Sequence, residues 1–357
     1  MSRARRRLPA GPLGVVLLLL LPVLVIESVR TGTTGTHDFD TTWRGCLAAF
    51  GFGTPLEGHL QTIVELRLWR ALTAAGVGAA LALSGALIQG LFRNGLASPT
   101  VLGVTGGACL GASLAILLLG GYGSLLLREL AGPAALLVPL GGFLGAVTVV
   151  TVVTLLGSPG GRVSVPTLLL TGIAVNIFIS GVLALISSLV LEDWEVSRAI
   201  LAWSFGTLDD RSPMHVVTVW TGVAAAALIV PFVAWELDLF QAGEEDALAL
   251  GVNTGRVRVL CVVASSLAAA AAVAVAGQIS FVGLVVPHLV RLLCGRGHRA
   301  VLPLSLLLGP VFLLAVDLAQ RSVLGERALQ PGVMMSLVGG PFFLILLIWR
   351  RKEVGSW

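Results

Sequence analysis

The sequence predicts an all-α polytopic membrane protein of about ten transmembrane helices, on three observations. Charged residues make up only 12% of the 357 and hydrophobic ones 56%, whereas a soluble domain carries about 25% charged. Eight apolar runs, at residues 13–26, 71–91, 101–119, 134–156, 165–191, 216–234, 301–318 and 333–349, are nearly free of charge. Basic residues collect in the segments that alternate connectivity puts on one side of a bilayer. Most runs reach the roughly 17–25 residues that cross a ~30 Å hydrocarbon core. Unbroken apolar runs, rather than alternating ones, mean helices and not a barrel.

The first run follows Arg3, Arg5, Arg6 and Arg7 and ends at Glu27 and Arg30 without a small-x-small cleavage site. It is expected to be a first span with a cytoplasmic N-terminus rather than a cleaved leader. Residues 257–290 would make a single helix of about 51 Å, too long for one crossing. Gly277, Gln278 and Gly283 interrupt it, while Arg256 and Arg258 precede it and Arg291, Arg296 and Arg299 follow it. Basic flanks on one side require a hairpin turning near residues 277–280, which makes ten spans. Both termini then fall in the cytoplasm, together with Arg93, Arg162, Arg350, Arg351 and Lys352.

Small residues recur inside the spans. Gly76, Gly78, Gly85 and Gly90 stripe the second, Gly103, Gly107 and Gly111 the third, and Gly141 and Gly145 the fourth. Such spacing lets helix backbones approach closely and marks packing, not chemistry. Cys46, Cys109, Cys261 and Cys294 have no CxxC spacing and read as small hydrophobes, with neither a disulfide framework nor a metal site expected. The chain reads as a single membrane domain over residues 1–357. It divides into a basic N-terminus at 1–11, a cytoplasmic loop at 236–257 and a tail at 350–357.

Catalytic signatures are missing. The sequence has no G-x-x-x-x-G-K-[ST] loop, and its one lysine, Lys352, lies in the tail, so P-loop nucleotide hydrolysis has no seat. HExxH and GxSxG are also absent. Carboxylates within spans, the mark of ion-coupled transporters, reduce mainly to Asp317, with Arg321 one turn on. The expectation is a transport subunit that is no enzyme, carries no cofactor, contacts no nucleic acid and takes its energy from a separate ATPase. An ion-coupled secondary transporter is the competing class.

The loop AGEEDALALGVNTGR at 242–256 offers a surface for such a partner. Glu244, Glu245 and Asp246 suit a helix N-terminus, Gly251 a left-handed C-cap, and Asn253 or Thr254 the start of a second short element. A solvated helical linker would fit this loop equally well.

The wider pattern resembles the FecCD-type permeases of ABC importers, a family that takes up ferric siderophores, haem and cobalamin. It rests on LRLWRAL (66–72), GAALALSGALIQGLFRN (78–94), LGVTGGA (102–108), LTGIAVN (170–176), VAVAG (273–277), FVGLVVPHLVR (281–291) and GPFF (340–343). The resemblance implies a cobalamin-permease-like fold in a bacterial cytoplasmic membrane, paired with a second copy or paralogue. ABC ATPase subunits would lie inside, a substrate-binding protein outside, and membrane lipid around it. The cargo implied is a metal chelate, foremost ferric siderophore, with haem or cobalamin as alternatives. ATPase coupling would fall on Glu244, Glu245, Ala247, Leu250, Gly251, Val252 and Asn253. Binding-protein docking would fall on Arg67, Arg70 and Arg321, whose guanidiniums can grip carboxylates bidentately. Interfacial snorkelling, or for Arg321 a local pair with Asp317, is the other account. His288, Gln89 and Asn176 are expected to be structural. The chain departs from the family at Trp69, Gly95, Gln278 and Gln330, where three prolines are lost and one is shifted. Those changes bear on turn geometry rather than on the fold.

Overall fold

The computed structural model describes residues 8–32, 35–119, 137–157, 165–325 and 329–349. Arg3, Arg5, Arg6, Arg7, Arg162, Arg350, Arg351 and Lys352 lie outside the described residues.

The chain begins with α1 (Ala10–Arg30) and a two-residue antiparallel pair, β1 (Thr31–Gly32) and β2 (Gly35–Thr36). Then come α2 (Phe39–Ala49), α3 (His59–Leu91), a 3-10 turn at Pro99–Leu102, α4 (Val104–Leu119), α5 (Leu137–Leu156) and α6 (Val165–Leu189). The second half holds α7 (Trp194–Ser204), α8 (Pro213–Ala227), α9 (Ala234–Phe240), α10 (Glu244–Ala249) and α11 (Thr254–Ala276). It closes with α12 (Val282–Cys294), α13 (His298–Leu324) and α14 (Pro331–Trp349). Among the described residues seven helices are long and apolar enough to cross a membrane: α1, α3, α5, α6, α8, α11 and α13. The apolar helices Val104–Leu119, Val282–Cys294 and Pro331–Ile345 are shorter.

At 33 residues, α3 is about 50 Å long and buried through nearly its whole apolar length. It begins twelve residues before the charge-free run, so Arg67 and Arg70 stand inside the helix rather than at its mouth. Around it pack α13, α11, α12, α8 and α1. By contrast α1 and α6 expose most of their apolar surface, as helices facing lipid or another membrane chain do.

Glycine sets the closeness of these contacts. A Cβ on Gly85 would run into the carbonyl of Gly283 in α12, and one on Gly78 into that of Gly309 in α13. Gly107 meets Gly145 and Gly111 meets Gly141 in the same way, which joins α4 to α5. Ser84 and Ser265 add a hydrogen-bonded pair between α3 and α11, with Ser84 Oγ donating to the Ser265 carbonyl at 2.7 Å.

The break near 277–280 is present. α11 stops at Ala276, and residues 277–281 turn back into the bundle as irregular backbone. α12 then starts beside Gly85 of α3. At 13 residues, or about 20 Å, it covers only part of a bilayer. Irregular backbone at that depth is tolerable because protein surrounds it: Gln278 approaches Cys109, and Phe281 lies against Gly339.

If these backbone contacts set the packing, Gly85→Ala will cost about 1–3 kcal/mol, as overpacking does. Gly181→Ala on α6, where an added Cβ meets nothing, should leave thermal unfolding in detergent unchanged or slightly raised.

Candidate functional site

Two polar sites stand at opposite ends of the bundle. The first forms where α3, α13, the end of α1 and the loop after α7 converge. Its centre is Asp317, whose side chain is 1% exposed. Arg70 grips this carboxylate in a fork, with Nη2 donating to Oδ1 at 2.7 Å and Nε to Oδ2 at 3.2 Å. Arg321, one turn along α13, donates from Nε to Oδ2 at 3.0 Å, and Gln320 lies at 3.4 Å.

Each arginine also ties down another segment. Arg321 donates to the Thr31 carbonyl at 2.7 Å and to the Ser28 hydroxyl at 2.7 Å. Arg67 is buried at 7% exposure and donates to the carbonyls of Val29, Arg30 and Gly35 at 3.0–3.2 Å. Gly32 lies against that guanidinium with no room for a side chain. Burial and then the Arg67 cation hold His37 below the ordinary histidine range. Arg70 also reaches outward, to Asp209, a carboxylate 68% exposed.

The structure thus brings Arg67, Arg70 and Arg321 together, but as clamps on the chain's own backbone and on Asp317. The local Asp317–Arg321 pair is present, and it is one arm of a larger network. Sequence reasoning missed Asp209, which stands 139 positions from Arg70 and has no helical register that would link them.

The second site is the loop between α9 and α11. α10 ends in a Schellman turn: Gly251 adopts φ +83°, its N–H donates to the Leu248 carbonyl, and Val252 N–H donates to that of Ala247. Buried Ala247 and Val252 provide the accompanying apolar contact. Asn253 caps the next helix, its side-chain oxygen accepting from the Arg256 N–H at 3.0 Å. That next element is not short, however. It is α11 itself, so the loop is joined rigidly to a 23-residue helix.

Ala247, Val252 and Asn253 therefore hold the loop's shape, Gly251 supplies its turn, and Glu245 faces solvent together with Leu248 and Leu250. Glu244 opens α10. Leu248 at 53% and Leu250 at 63% exposure place large apolar side chains on a polar end of the molecule, as a docking surface does. Leu248 is a second residue that sequence reasoning passed over. Its one-turn offset from Glu244 was legible there, but its exposure was not.

Gln89 and Asn176 tie helices to neighbouring backbone. Gln89 donates to the Gly283 carbonyl at 3.2 Å and accepts from Arg291, while Asn176 donates to the Thr100 carbonyl at 2.9 Å. His288 sits half-buried on α12. Among the described residues no group of three or more His, Cys, Asp or Glu side chains could hold a metal ion.

With this geometry in place, comparison with known proteins is decisive. The FecCD transport family matches residues 19–349. This chain belongs to that family. It is an ABC importer permease of the metal-chelate class, built from several membrane-crossing helices. A cobalamin import system permease protein of Halobacterium salinarum is 37% identical over 342 residues, covering 94% of this chain and 87% of the relative. A hemin transport system permease protein of Yersinia pestis is 34% identical over 360 residues, covering 99% and 98%. The solved structure of a metal-chelate type ABC transporter in an inward-facing conformation superposes with a TM-score of 0.78 at 28% identity. It covers 94% of this chain and 99% of that one.

The ion network makes a sharp prediction. Asp317→Asn should destabilise the protein by about 3–5 kcal/mol, because it leaves two buried guanidiniums without their counter-charge. Asp209→Asn should cost at most about 1 kcal/mol. Thermal unfolding of both variants in detergent separates them, and equal losses would remove Asp317 from the centre of the network.

Proposed function

We propose that the chain is the translocating subunit of a binding-protein-dependent importer, driven by separate ATPase subunits docked on α10. The observation that carries this reading is the exposed Leu248–Leu250 surface, held rigid by the Gly251 turn and joined directly to a membrane-crossing helix. A solvated linker has no use for such stiffness or for exposed leucines. Ten membrane helices, the seven long ones and three shorter, with both termini cytoplasmic, fit this reading and put α10 inside. The bacterial cytoplasmic membrane is its place, and a second copy or paralogue faces the exposed surfaces of α6 and α14. The cargo is a bulky metal chelate. Ferric siderophore is our first candidate, and haem and cobalamin, the named substrates of the two relatives, are the alternatives.

The substrate-binding protein docks at the other end, over the Arg67–Arg70–Arg321 cluster. Of these, Arg70 is the group that exchanges partners, because its Asp209 contact lies at the surface where a carboxylate from the binding protein can replace it. Arg67 and Arg321 support that contact from within. A secondary transporter would need coupling carboxylates in its spans, and Asp317 is already neutralised by two arginines.

Reconstitution with ATPase and binding protein, followed by uptake of labelled ferric siderophore, haem and cobalamin, tests the class and the cargo together. Uptake driven by an ion gradient without the ATPase would overturn the reading. Gly251→Pro should abolish stimulation of the ATPase while the helices still fold, since proline cannot adopt φ near +83°. Asp209→Ala should tighten binding-protein association by up to roughly fivefold, the ~1 kcal/mol an exposed pair is worth. Unchanged affinity would take Arg70 out of docking.

A further inference from the structure

A cleft of about 240 Å³ runs along the outside of the bundle between α5 and α11. Its walls are apolar, formed by Val147, Val150 and Leu155 on one helix and Val259, Val262 and Val263 on the other. Its length follows the helices, from Thr154 and Arg258 near the α10 end to Ser266 and Leu267 about two turns deeper.

Two hydroxyls here behave unusually. Serine and threonine in a helix ordinarily donate back to the carbonyl four residues earlier, as Thr151 does to Val147 at 2.7 Å. Thr154 and Ser266 line the cleft, yet Thr154 Oγ1 and Ser266 Oγ are buried and have no partner. A buried hydroxyl without a partner is costly unless something fills the place. Arg258, half-buried in the first turn and a half of α11, brings a cation to the same end.

We propose that this cleft is a specific site for an anionic glycerophospholipid. One acyl chain lies between α5 and α11, and the phosphate sits beside Arg258 at the Thr154 end of the cleft. Charge selects the lipid: a guanidinium at headgroup depth favours an anionic phosphate ester, and apolar walls one chain wide take the tail. The lipid staples α5 to α11 one turn beyond Asn253, the residue that caps α11 and ends the α10 loop. It therefore sits at the root of the proposed coupling segment. The binding itself depends only on the chain's residence in a membrane, not on the ATPase reading.

Native mass spectrometry of the purified chain, exchanged into phosphatidylglycerol or phosphatidylcholine, reads this directly. Wild type should retain phosphatidylglycerol over phosphatidylcholine by roughly fivefold, the gain expected of one arginine at a membrane surface. Arg258→Gln should erase that preference, Arg258→Lys should keep most of it, and Arg256→Gln, two residues away and outside the cleft, should leave it intact. Val262→Trp, which fills the cleft, should reduce retention of both lipids. Excess inorganic phosphate should not displace the lipid. Elution and thermal unfolding monitored alongside show that each variant folds. Equal loss in Arg256→Gln and Arg258→Gln would reduce the effect to general surface charge and overturn the site. So would unchanged lipid retention in Val262→Trp, or a Val262→Trp change in oligomeric mass without any change in lipid, which would assign the cleft to a second chain.

Discussion

Asp317 is a carboxylate with almost no access to solvent, held by two guanidiniums from different helices. Such a charge is stable inside a membrane protein only if its counter-charges are fixed and correctly aimed. Arg70 fixes the position of α3 relative to α13, and Arg321 carries the tie on to Ser28 and Thr31 at the end of α1. Arg67 completes the collar by closing on carbonyls at both sides of the β1–β2 pair. The apolar helices below have few polar ties between them, chiefly Ser84 to Ser265 and Gln89 to Gly283 and Arg291. The ion cluster adds a charged tie at one end, above the glycine contacts between the same helices.

Seen this way, the same residue types do different work at the two ends. At the α3–α13 end, charge is internalised and used to hold four segments together, and Arg70 extends from it to the exposed Asp209. At the α10 end the polar groups cap helices, and apolar leucines are turned outward instead. The two ends therefore differ in kind, one closed on its own charges and the other presenting apolar side chains.

The sequence disclosed the spans well because twenty apolar residues in succession leave few alternatives. It also disclosed the turn at Gly277, from the arginines flanking 257–290, and the Gly251 cap, from local spacing alone. Where it failed, the missing information was non-local. The full extent of α3 was hidden because Arg67 and Arg70 look like the end of a span until Asp317 is brought beside them. Nothing in the neighbourhood of Asp209 names Arg70 as its partner. Ala247 and Val252 are a local case: both are buried because the Schellman turn uses those two positions for its own closure. The short helices α2 and α7 escaped notice since neither is apolar enough to register as a span.

The paired glycines have a mechanical consequence. Where two backbones touch carbonyl to Cα, there is no compliant layer of side chains to absorb displacement, so the helices on either side move together or separate altogether. Gly78 and Gly85 weld α3 to α13 and α12, while Gly107 and Gly111 weld α4 to α5. These helices thus form two stiff groups rather than independent rods, and α11 packs against both. The loop carrying α10 runs without a break into α11, so a displacement of that loop would reach both welded groups through one helix.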